Sequence, residues 1–297
     1  MISIVITSFK EPVLVKRATQ AVLDNKIKEE YELVIAAPDK ETADVVKEFS
    51  KKNKQITYFK DPGKGKSFAL NMLFKILKGN IWIFTDGDVY LDKIAISEIT
   101  KYFKDLKVGC VTGRPVSTNS KNTMTGYWAH LLCDAGAHAI RAELDAKGSF
   151  IECSGYLFAF RKDLIKEIPL NVAEDTFIPY VILKKGFRVR YAPTARVYIK
   201  GPTTLKDFIK QKIRTAKAHE TLQDYAKDFP RVKSFKNELM KGPKLAMKYP
   251  KTAREFIWTL CLFPVRLYIW ARVKWDDKIS KKRYGDGWER VESTKQQ

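Results

Sequence analysis

Short runs of apolar, mostly β-branched residues alternate with segments of helical length in the first part of this chain. The runs cover residues 2–6, 33–37, 56–59 and 81–85, and the segments between them cover residues 13–25, 42–51 and 67–78. Strands that alternate with helices at this spacing are typical of a parallel sheet with helices on both faces. Such sheets bind ligands at the carboxyl ends of their strands, so a functional site is expected there.

The middle of the chain is less regular. Its pattern predicts strands within residues 108–113, 150–161 and 191–199, and helices over residues 127–142 and from 205 to about 228. With 297 residues, of which 45% are hydrophobic, the chain can bury one large α/β core or two small ones.

Two acidic residues separated by one glycine, Asp86-Gly87-Asp88, follow the fourth predicted strand. In an extended or turn segment, residues i and i+2 can point the same way, and we expect Gly87 to permit a tight turn. Two converging carboxylates repel each other unless a cation lies between them. Mg²⁺ or Mn²⁺ fits, because these hard cations take oxygen ligands and keep places for substrate phosphates. The alternative is a solvated turn whose acidic residues are incidental.

Six short motifs, in order along the chain, resemble those of glycosyltransferase family 2, whose members have the GT-A fold. They are IVITSFKE, GKGKSFALN, TDGDVYLD, CSGYLFAFRKDLI, AEDTFIPYVILKKGFRVRYAP and QKIR. The resemblance covers roughly residues 1–220. It implies an α/β fold in which a Rossmann-like, mostly parallel sheet with flanking helices is followed by a helical, basic C-terminal tail.

The resemblance divides the chain by function. It implies a nucleotide-sugar-binding half at residues 1–110 and an acceptor-binding half of the same GT-A domain at residues 111–220. Residues 221–297 form a basic helical segment that we expect to act as an anchor at a membrane interface.

The resemblance also implies a role for each matching residue. The donor, a sugar linked to UDP or GDP, would be bound by Phe9, Glu11, Asp39, Lys66, Asp86 and Arg214. Asp86 and Asp88 would hold the Mn²⁺ or Mg²⁺ ion. The acceptor would be bound by Ser154, Gly155, Glu174 and Gln211. Asp175 would be the general base that takes the proton from the acceptor hydroxyl, and one such base is sufficient for single displacement with inversion.

The chain departs from the family pattern at two places. Where the family often has two aspartates after the second strand, this sequence has AAPD, which leaves only Asp39. The tryptophan of the family's QxxRW motif is replaced by Thr215. Because that tryptophan lines the acceptor site of polymerising members, the resemblance implies a non-processive enzyme.

The positive charge of the chain is concentrated in its last third. The net charge is +21, and the residues from Lys200 onward include 24 Lys and Arg against 11 Asp and Glu. The same part contains FIWTLCLFPVRLYIW, residues 256–270, which is shorter than the roughly 20 residues that span a bilayer and is interrupted by Pro264 and Arg266. This run is either a core or oligomer-interface helix, an interfacial helix, or a segment that dips into the bilayer. Flanking cations favour an anionic membrane surface as the partner. The family motifs together with this basic, aromatic tail imply a lipid-linked or glycan acceptor.

Other functions are compatible with parts of this sequence. A soluble glycosyltransferase that acts on a non-lipid acceptor would carry the same motifs. A basic nucleic-acid-binding protein would explain the charge, but the aromatic residues are not interleaved with Lys and Arg as in a reader motif, so we expect no nucleic-acid partner. A nucleotidyltransferase on a related sheet would release pyrophosphate, and the acceptor-side Glu174-Asp175 pair argues against it.

The cysteines and the N-terminus predict the compartment. The chain has four widely spaced cysteines without a CxxC pair, which is typical of reduced, buried thiols. The N-terminal stretch MISIVITSF lacks the basic and long apolar regions of a secretory signal. We therefore expect a cytoplasmic protein, peripheral on the inner face of the cell membrane.

Overall fold

The computed structural model describes residues 1–226, 235–280, 284–285, 287 and 291–294. They form two compact units. The first unit comprises Met1–Pro115 and Leu144–Ile199, and the second comprises Val116–Glu143 and the described residues of Lys200–Gly285, with a few terminal residues added to each. Parts of the predicted C-terminal segment, residues 227–234, 281–283, 286, 288–290 and 295–297, lie outside the described residues. The predicted division at residues 110 and 220 is one of function and stays a prediction.

The first unit is built on one sheet of eight strands in the order β3-β2-β1-β4-β7-β6-β8-β5. The strands are β1 (Ile2–Thr7), β2 (Tyr31–Ala37), β3 (Ile56–Lys60), β4 (Ile81–Asp86), β5 (Tyr90–Leu91), β6 (Val108–Ser117), β7 (Leu157–Arg161) and β8 (Arg188–Ile199).

Half of this sheet is parallel, as the alternating pattern predicts. Strands β3, β2, β1 and β4 all run in the same direction, and every residue of the central strand β1 is buried. Their carboxyl ends therefore lie along one edge of the sheet, where Thr7 of β1 is in register with Asp86 of β4. The Asp86-Gly87-Asp88 motif begins at this edge, with the last residue of β4.

The other half contains antiparallel pairs. Strand β7 is antiparallel to both β4 and β6, and β5 is antiparallel to β8. The rings of Phe158 and Phe160 stack on Phe84 with centroids 5.5 and 5.4 Å apart, so the apolar residues of β7 extend the core that β4 begins. The sheet is thus parallel across β3, β2, β1 and β4, whereas the pairs β4–β7, β7–β6 and β8–β5 are antiparallel.

The described residues contain ten α-helices, of which the last three follow the last strand. They are α1 (Pro12–Leu23), α2 (Lys40–Lys52), α3 (Lys66–Leu73), α4 (Ala95–Thr100), α5 (Met124–Leu131), α6 (Ala139–Ala146), α7 (Glu174–Lys184), α8 (Leu205–Thr221), α9 (Phe235–Ala246) and α10 (Ala253–Lys278). A seven-residue π-helix, Leu132–His138, joins α5 to α6.

One helix is shorter than predicted. The pattern extends the third helical segment to residue 78, but α3 ends at Leu73. The chain continues in tight turns to Gly79, where an added Cβ would lie 2.4 Å from the backbone nitrogen of Ser3. The chain must therefore leave the helix early in order to pass this close to β1.

The last helix is longer than predicted. The apolar run 256–270 is the centre of α10, which has 26 residues and continues through Pro264. Proline removes one backbone hydrogen bond, here to the carbonyl of Leu260, and Leu260 is 45% exposed, so water can replace the lost donor. Within the described residues, Ala253–Asp277 is one helix long and apolar enough to cross a membrane, and an 18-residue window of it has a mean hydropathy of 1.4.

The second unit has its own apolar core. Helices α5, α8, α9 and α10 contribute to it, and its buried members are Tyr127, Trp128, Leu131, Phe208, Ala246, Leu262 and Ile269.

Candidate active site

The acidic turn after β4 is fixed by the neighbouring strand β1. The hydroxyl of Thr7 donates a hydrogen bond to Oδ1 of Asp86 at 3.2 Å, and the backbone N–H of Gly87 donates to the carbonyl of Thr7 at 2.8 Å. Both contacts follow from the register that pairs Thr7 with Asp86. The turn is therefore an extension of the sheet rather than a loose loop.

Gly87 is required for a reason other than the one that the sequence suggested. Its backbone does not lie in the left-handed region, where only Gly63, Gly65, Gly148 and Gly186 are found among the described glycines. Instead, a Cβ on Gly87 would lie 2.4 Å from Oγ of Ser8 and 2.5 Å from its Cβ. The glycine allows close packing against β1.

Lys66 lies between two carboxylates from distant parts of the chain. Its Nζ is 2.9 Å from Oδ1 of Asp86 and 2.7 Å from Oε1 of Glu174. The side chains are 19, 25 and 8% exposed respectively, so the group is largely screened from water. Burial lowers the pKa of Lys66, but the charges of Asp86 and Glu174 outweigh it and raise the pKa above its ordinary value. The ammonium group thus stays charged at neutral pH.

The helix α3 positions Lys66 and also holds the segment that precedes α7. Lys66 is the first residue of α3, after Gly65, whose φ of 106° is in a region that other residues rarely adopt. One turn further on, the side-chain amide of Asn71 donates to the carbonyl of Ile168 at 2.7 Å and accepts from its N–H at 2.9 Å. Ser67 donates to the carbonyl of Val172 at 3.3 Å. The helix therefore fixes the approach to Glu174.

Asp175, the predicted base, lies in the first turn of α7 and contacts the predicted acceptor segment. Its Oδ2 accepts a hydrogen bond from the backbone N–H of Gly155 at 3.1 Å, and its carbonyl accepts from the N–H of Cys153 at 3.1 Å. The carboxylate is half-buried. A carboxylate has two oxygens that can accept protons, which is the chemistry that the predicted base requires.

Ser154 is held in place from β6. Its backbone N–H donates to Oγ1 of Thr112 at 2.9 Å, and its carbonyl accepts from Leu157 at 3.2 Å. Ser154 is buried, and the thiols of Cys153 and Cys110 lie 3.4 Å apart behind it. The acceptor segment is thus a fixed loop, and its binding role stays a prediction.

Asp39 organises the loop after β1. Its Oδ1 accepts from the N–H of Thr42 at 2.9 Å, which caps α2, and its Oδ2 accepts from the N–H of Lys10 at 2.7 Å. Burial raises the pKa of Asp39, but these hydrogen bonds outweigh it and lower the pKa below its ordinary value. The contact holds Lys10 at a φ of 53°, between the predicted donor ligands Phe9 and Glu11.

Phe9 and Glu11 lie on either side of that residue. The ring of Phe9 is half-buried, with Nζ of Lys10 5.4 Å from its centroid. Glu11 is buried at the start of α1, and its N–H donates to Oγ1 of Thr42 at 3.0 Å. Their roles in donor binding stay predictions.

The remaining predicted residues are placed as follows. Asp88 is half-buried in the turn after Asp86. Gln211 and Arg214 lie on α8, in the second unit, and both are half-buried. Their predicted contacts with the diphosphate or the acceptor stay predictions.

The donor set at the acidic turn fits a metal that takes part of its coordination from substrate. Among the described residues, no cluster of three or more His, Cys, Asp or Glu side chains could enclose an ion. Mg²⁺ is commonly held by one or two carboxylates together with substrate phosphates and water. The two carboxylates of Asp86 and Asp88, one already against a lysine, match that kind of site.

Three positioning residues were missed in the sequence. Thr7, Asn71 and Thr112 bind the acidic turn, the segment before α7 and the Ser154 backbone respectively. Asn71 lies within a motif that was recognised, so its presence there was a usable signal. Thr7 and Thr112 are ordinary strand residues whose roles arise only from register.

Asp92, the last acid of TDGDVYLD, contributes to folding. Its Oδ2 accepts from the hydroxyl of Tyr198 at 2.8 Å, and its backbone N–H donates to the carbonyl of Arg196 at 3.0 Å. These bonds, and the stacking of Tyr90 on Tyr198 at 5.1 Å, hold β5 to β8.

The fold is the α/β GT-A fold, which the solved structures named below share. The chain belongs to glycosyltransferase family 2, because the family described as "Glycosyltransferase like family 2" matches residues 1–218. The chain therefore carries a glycosyltransferase family 2 domain, as the motifs predicted.

Curated relatives carry glycosyltransferase names. The chain is 25% identical over 237 residues to the probable glycosyltransferase YdaM of Bacillus subtilis. The alignment covers 74% of this chain and 55% of that protein. It is 26% identical over 187 residues to poly-beta-1,6-N-acetyl-D-glucosamine synthase of Staphylococcus aureus, covering 61% of this chain and 45% of that protein. The chain spans about half the length of these curated relatives.

Solved structures share the fold. The mannosyltransferase PcManGT of Pyrobaculum calidifontis, in complex with GDP-Man and Mn²⁺, superposes with a TM-score of 0.62 at 17% identity and covers 94% of this chain and 81% of that chain. Residues 1–349 of S. aureus TarS, in complex with UDP-GlcNAc, give a TM-score of 0.52 at 14% identity, covering 87 and 79%.

Proposed function

We propose that this protein transfers a sugar from a nucleoside-diphosphate donor to a hydroxyl group of a lipid-linked or glycan acceptor, without processive chain growth. The observation that carries the proposal is the Lys66 cluster, in which one ammonium group joins Asp86 of the acidic turn to Glu174 beside Asp175. The cluster contains two of the predicted donor ligands, Lys66 and Asp86, and its third member, Glu174, precedes the predicted base in the chain.

On the donor side, this chain supplies carboxylates and a cation at the end of β4. Lys66 is placed to stabilise negative charge that develops on a departing diphosphate, a contribution that is often the largest in such reactions. Asp86 and Asp88 are the residues that would hold Mn²⁺ or Mg²⁺, which when bound neutralises the charge of the leaving group. The related mannosyltransferase structure contains Mn²⁺ together with GDP-Man.

On the acceptor side, Asp175 removes the proton from the attacking hydroxyl. Its orientation is set by the N–H of Gly155, which occupies one carboxylate oxygen. Direct attack by the activated hydroxyl on the sugar carbon displaces the diphosphate and inverts that carbon. General base catalysis of this kind contributes roughly 10²–10⁴-fold to the rate.

The acceptor is proposed to be presented at the cytoplasmic face of a membrane. A relative is named as a synthase of a poly-N-acetylglucosamine, and the last third of this chain is basic and contains the long apolar helix α10. The donor base is proposed to be uracil or guanine, the two bases found in the related complexes.

A donor screen tests the proposal. Binding and Mn²⁺-dependent hydrolysis of UDP- and GDP-sugars are measured with the full chain and with Asp88→Ala. We expect one preferred donor and a loss of about 10³-fold in its turnover in Asp88→Ala, because a metal carboxylate is removed. The control is Asp44→Ala, an exposed acid on α2 whose contact with Lys47 is at 3.6 Å. Equal turnover in Asp88→Ala and the wild type would refute the assigned metal site.

A further inference from the structure

The helix α10 is fastened to its own unit at its N-terminal end. Oγ1 of Thr259 lies 2.7 Å from the hydroxyl of Tyr127, and the carbonyl of Trp258 accepts from Nε1 of Trp128 at 2.6 Å. Tyr127 and Trp128 are fully buried residues of α5. This end of α10 therefore has one inner face that is not available to any other partner.

Charged groups bind the same inner face to α9 in the middle of α10 and to α8 near its C-terminal end. Arg266 forms a two-point ion pair with Glu238 of α9, and Nε1 of Trp270 donates to Glu238 at 2.9 Å. Nearer the end, Asp276 is 2.6 Å from Nζ of Lys217 on α8. The helix is thus held to polar partners of the second unit along its whole length.

The opposite face of α10 is apolar and exposed. The residues on it are 43–60% exposed, and we call them the outer stripe: Phe256, Ile257, Leu260, Leu267, Tyr268 and Trp275. They recur at helical spacing on one side of α10, and from the first to the last the stripe is about 28 Å long. Only 28% of the apolar window of this helix is buried. A stripe of this length on a monomer marks an interaction surface.

Exposed cations lie along the edges of the outer stripe. Arg254 and Arg272 are 18 residues apart, which is about five helical turns and places them on the same edge. Lys274 lies on the other edge and is also exposed. A long apolar stripe with tryptophan, tyrosine and flanking basic residues has the chemistry of a surface that enters the headgroup region of an anionic membrane.

We propose that α10 lies flat in the surface of an anionic phospholipid membrane, with the outer stripe in the interfacial region and the inner face on the second unit. A membrane-spanning arrangement would carry the Arg266–Glu238 and Lys217–Asp276 pairs into hydrocarbon, which is costly. A second copy of this chain would bring like charges together along the edges of the stripe. The inference rests on the proposed function only for the expectation that the acceptor is at a membrane.

Vesicle flotation tests the outer stripe. The full chain is mixed with vesicles of phosphatidylcholine alone or with added phosphatidylglycerol, in the absence of nucleotide sugar. We expect binding only to the anionic vesicles, weakening as salt is raised. Leu260→Gln together with Leu267→Gln is expected to reduce binding at least tenfold, because two exposed leucines that would enter the membrane interface are lost.

The matched control uses exposed leucines of the first unit. Leu106 and Leu170 are 77 and 54% exposed, and the pair Leu106→Gln and Leu170→Gln is expected to bind like the wild type. Circular dichroism confirms that both double variants are folded. Unchanged binding by the stripe variant overturns the proposal. So does a lipid-free dimer, seen by sedimentation velocity, that the stripe variant dissociates, because that result assigns the stripe to a second copy.

Thiol labelling separates a flat helix from a spanning one. In a Cys261→Ser background, Lys251→Cys and Ser280→Cys place one thiol beyond each end of α10, where both residues are exposed. A membrane-impermeant maleimide added outside sealed vesicles is expected to label both positions equally. Protection of one position until the vesicles are permeabilised overturns the flat arrangement. No assay here uses a sugar donor, so a failure of transfer activity leaves these outcomes interpretable.

Discussion

The two units of this protein place their charged and apolar side chains in opposite ways. In the first unit, charges converge on a largely buried point where Lys66 joins Asp86 and Glu174. In the second, ion pairs such as Arg266–Glu238 lie on the inner face of α10, while large apolar residues such as Leu267 and Tyr268 are exposed. A buried charge cluster and an exposed apolar stripe are both costly in a folded protein in water, so each indicates a ligand.

The ligands that these two features indicate are different. A cluster with one lysine ammonium group and carboxylate oxygens near the carboxyl ends of parallel strands suits a diphosphate with its metal ion. A long apolar stripe with basic edges suits a lipid surface. We therefore expect changes in the first unit to alter transfer without altering membrane binding, and changes in the outer stripe to do the reverse.

The largest difference between the effect on sugar transfer and the effect on membrane binding is expected from Asp175→Asn. Asparagine keeps an oxygen that can accept from the N–H of Gly155, at 3.1 Å in the wild type, but it cannot take a proton. Turnover should fall by about 10²–10⁴-fold, with little change in the KM for the donor. Steady-state kinetics measures this, and vesicle flotation of the same variant serves as the control. A variant that keeps turnover within tenfold of the wild type would show that another group is the base.

A smaller effect is expected from Lys66→Met. The side chain keeps its approximate length, but Asp86 and Glu174 lose the cation between them. We expect kcat/KM to fall by about 10–100-fold, with substantial recovery in Lys66→Arg, because the charge rather than the volume is needed.

Lys64→Met is the matched control for that change. Lys64 is an exposed lysine of the loop that precedes α3. Its Nζ lies 5.3 Å from the ring centroid of Phe68. It should retain wild-type kcat/KM. If the two methionine variants lose activity equally, the cluster is not the cause and the general charge of the loop is.

Gly87→Ala tests the close packing of the acidic turn. The added Cβ would meet Ser8 at 2.4 Å, so we expect a loss of about 1–3 kcal/mol in the free energy of unfolding, measured by urea denaturation. Ser8→Gly should rescue Gly87→Ala, whereas Ser8→Ala should not, since the Cβ of Ser8 is itself 2.5 Å from the new atom. Additive losses in the Gly87→Ala, Ser8→Gly double variant would contradict this account.

The smallest effect is expected in the second unit, from the titration of Glu238. Burial raises the pKa of this carboxyl, but Arg266 and Trp270 outweigh it and lower the pKa below its ordinary value of 4.5. A carboxyl with a lowered folded-state pKa stabilises the fold above its unfolded-state pKa, and this stability is lost as pH falls through the folded-state pKa.

The corresponding measurement is the free energy of unfolding against pH. Glu238→Gln should lose about 1 kcal/mol at neutral pH, and the difference from the wild type should shrink as the pH is lowered below 4.5. Asp277→Asn, at an exposed position of α10, is the control and should keep the wild-type free energy of unfolding at neutral pH. A difference that does not depend on pH would show that Glu238 acts through packing rather than charge.

The parallel half of the sheet could be predicted because its signal is local. Each of β1 to β4 is a short apolar run, and each is followed by polar residues at the carboxyl end. Family 2 membership and the enzyme class followed from motifs on these elements and are confirmed. The antiparallel pairing of β5 with β8 could not be predicted, because it depends on contacts such as Tyr198 to Asp92, 106 residues apart.

The sequence named candidate residues for the site, whose roles stay predictions, but it could not indicate their contacts. Lys66, Asp86 and Glu174 were each named from a motif, yet no spacing in the sequence indicates that one ammonium group contacts both acids. Asp39 was assigned to the donor, and its observed hydrogen bonds to Lys10 and Thr42 add a role in loop structure. Such contacts depend on backbone register and on the entry angles of helices, which composition does not encode.

The continuity of α10 through Pro264 and Arg266 was not predicted, for a related reason. Pro264 and Arg266 were taken as interruptions, since each is unfavourable in an isolated apolar helix. In the structure, Pro264 is exposed and Arg266 has a carboxylate partner on α9. Tertiary partners of this kind cannot be seen in the helix itself.

The distribution of the cysteines allows the opening of each unit to be followed in time. Cys110 and Cys153 are buried in the first unit and Cys133 is buried in the second, where burial raises its pKa to about 11. Cys261 is exposed on α10, so it is expected to react in the native state. A thiol-specific reagent followed by peptide mass mapping would therefore show a rapid first reaction and then slower ones. The order of the slower reactions gives the order in which the two units open during unfolding.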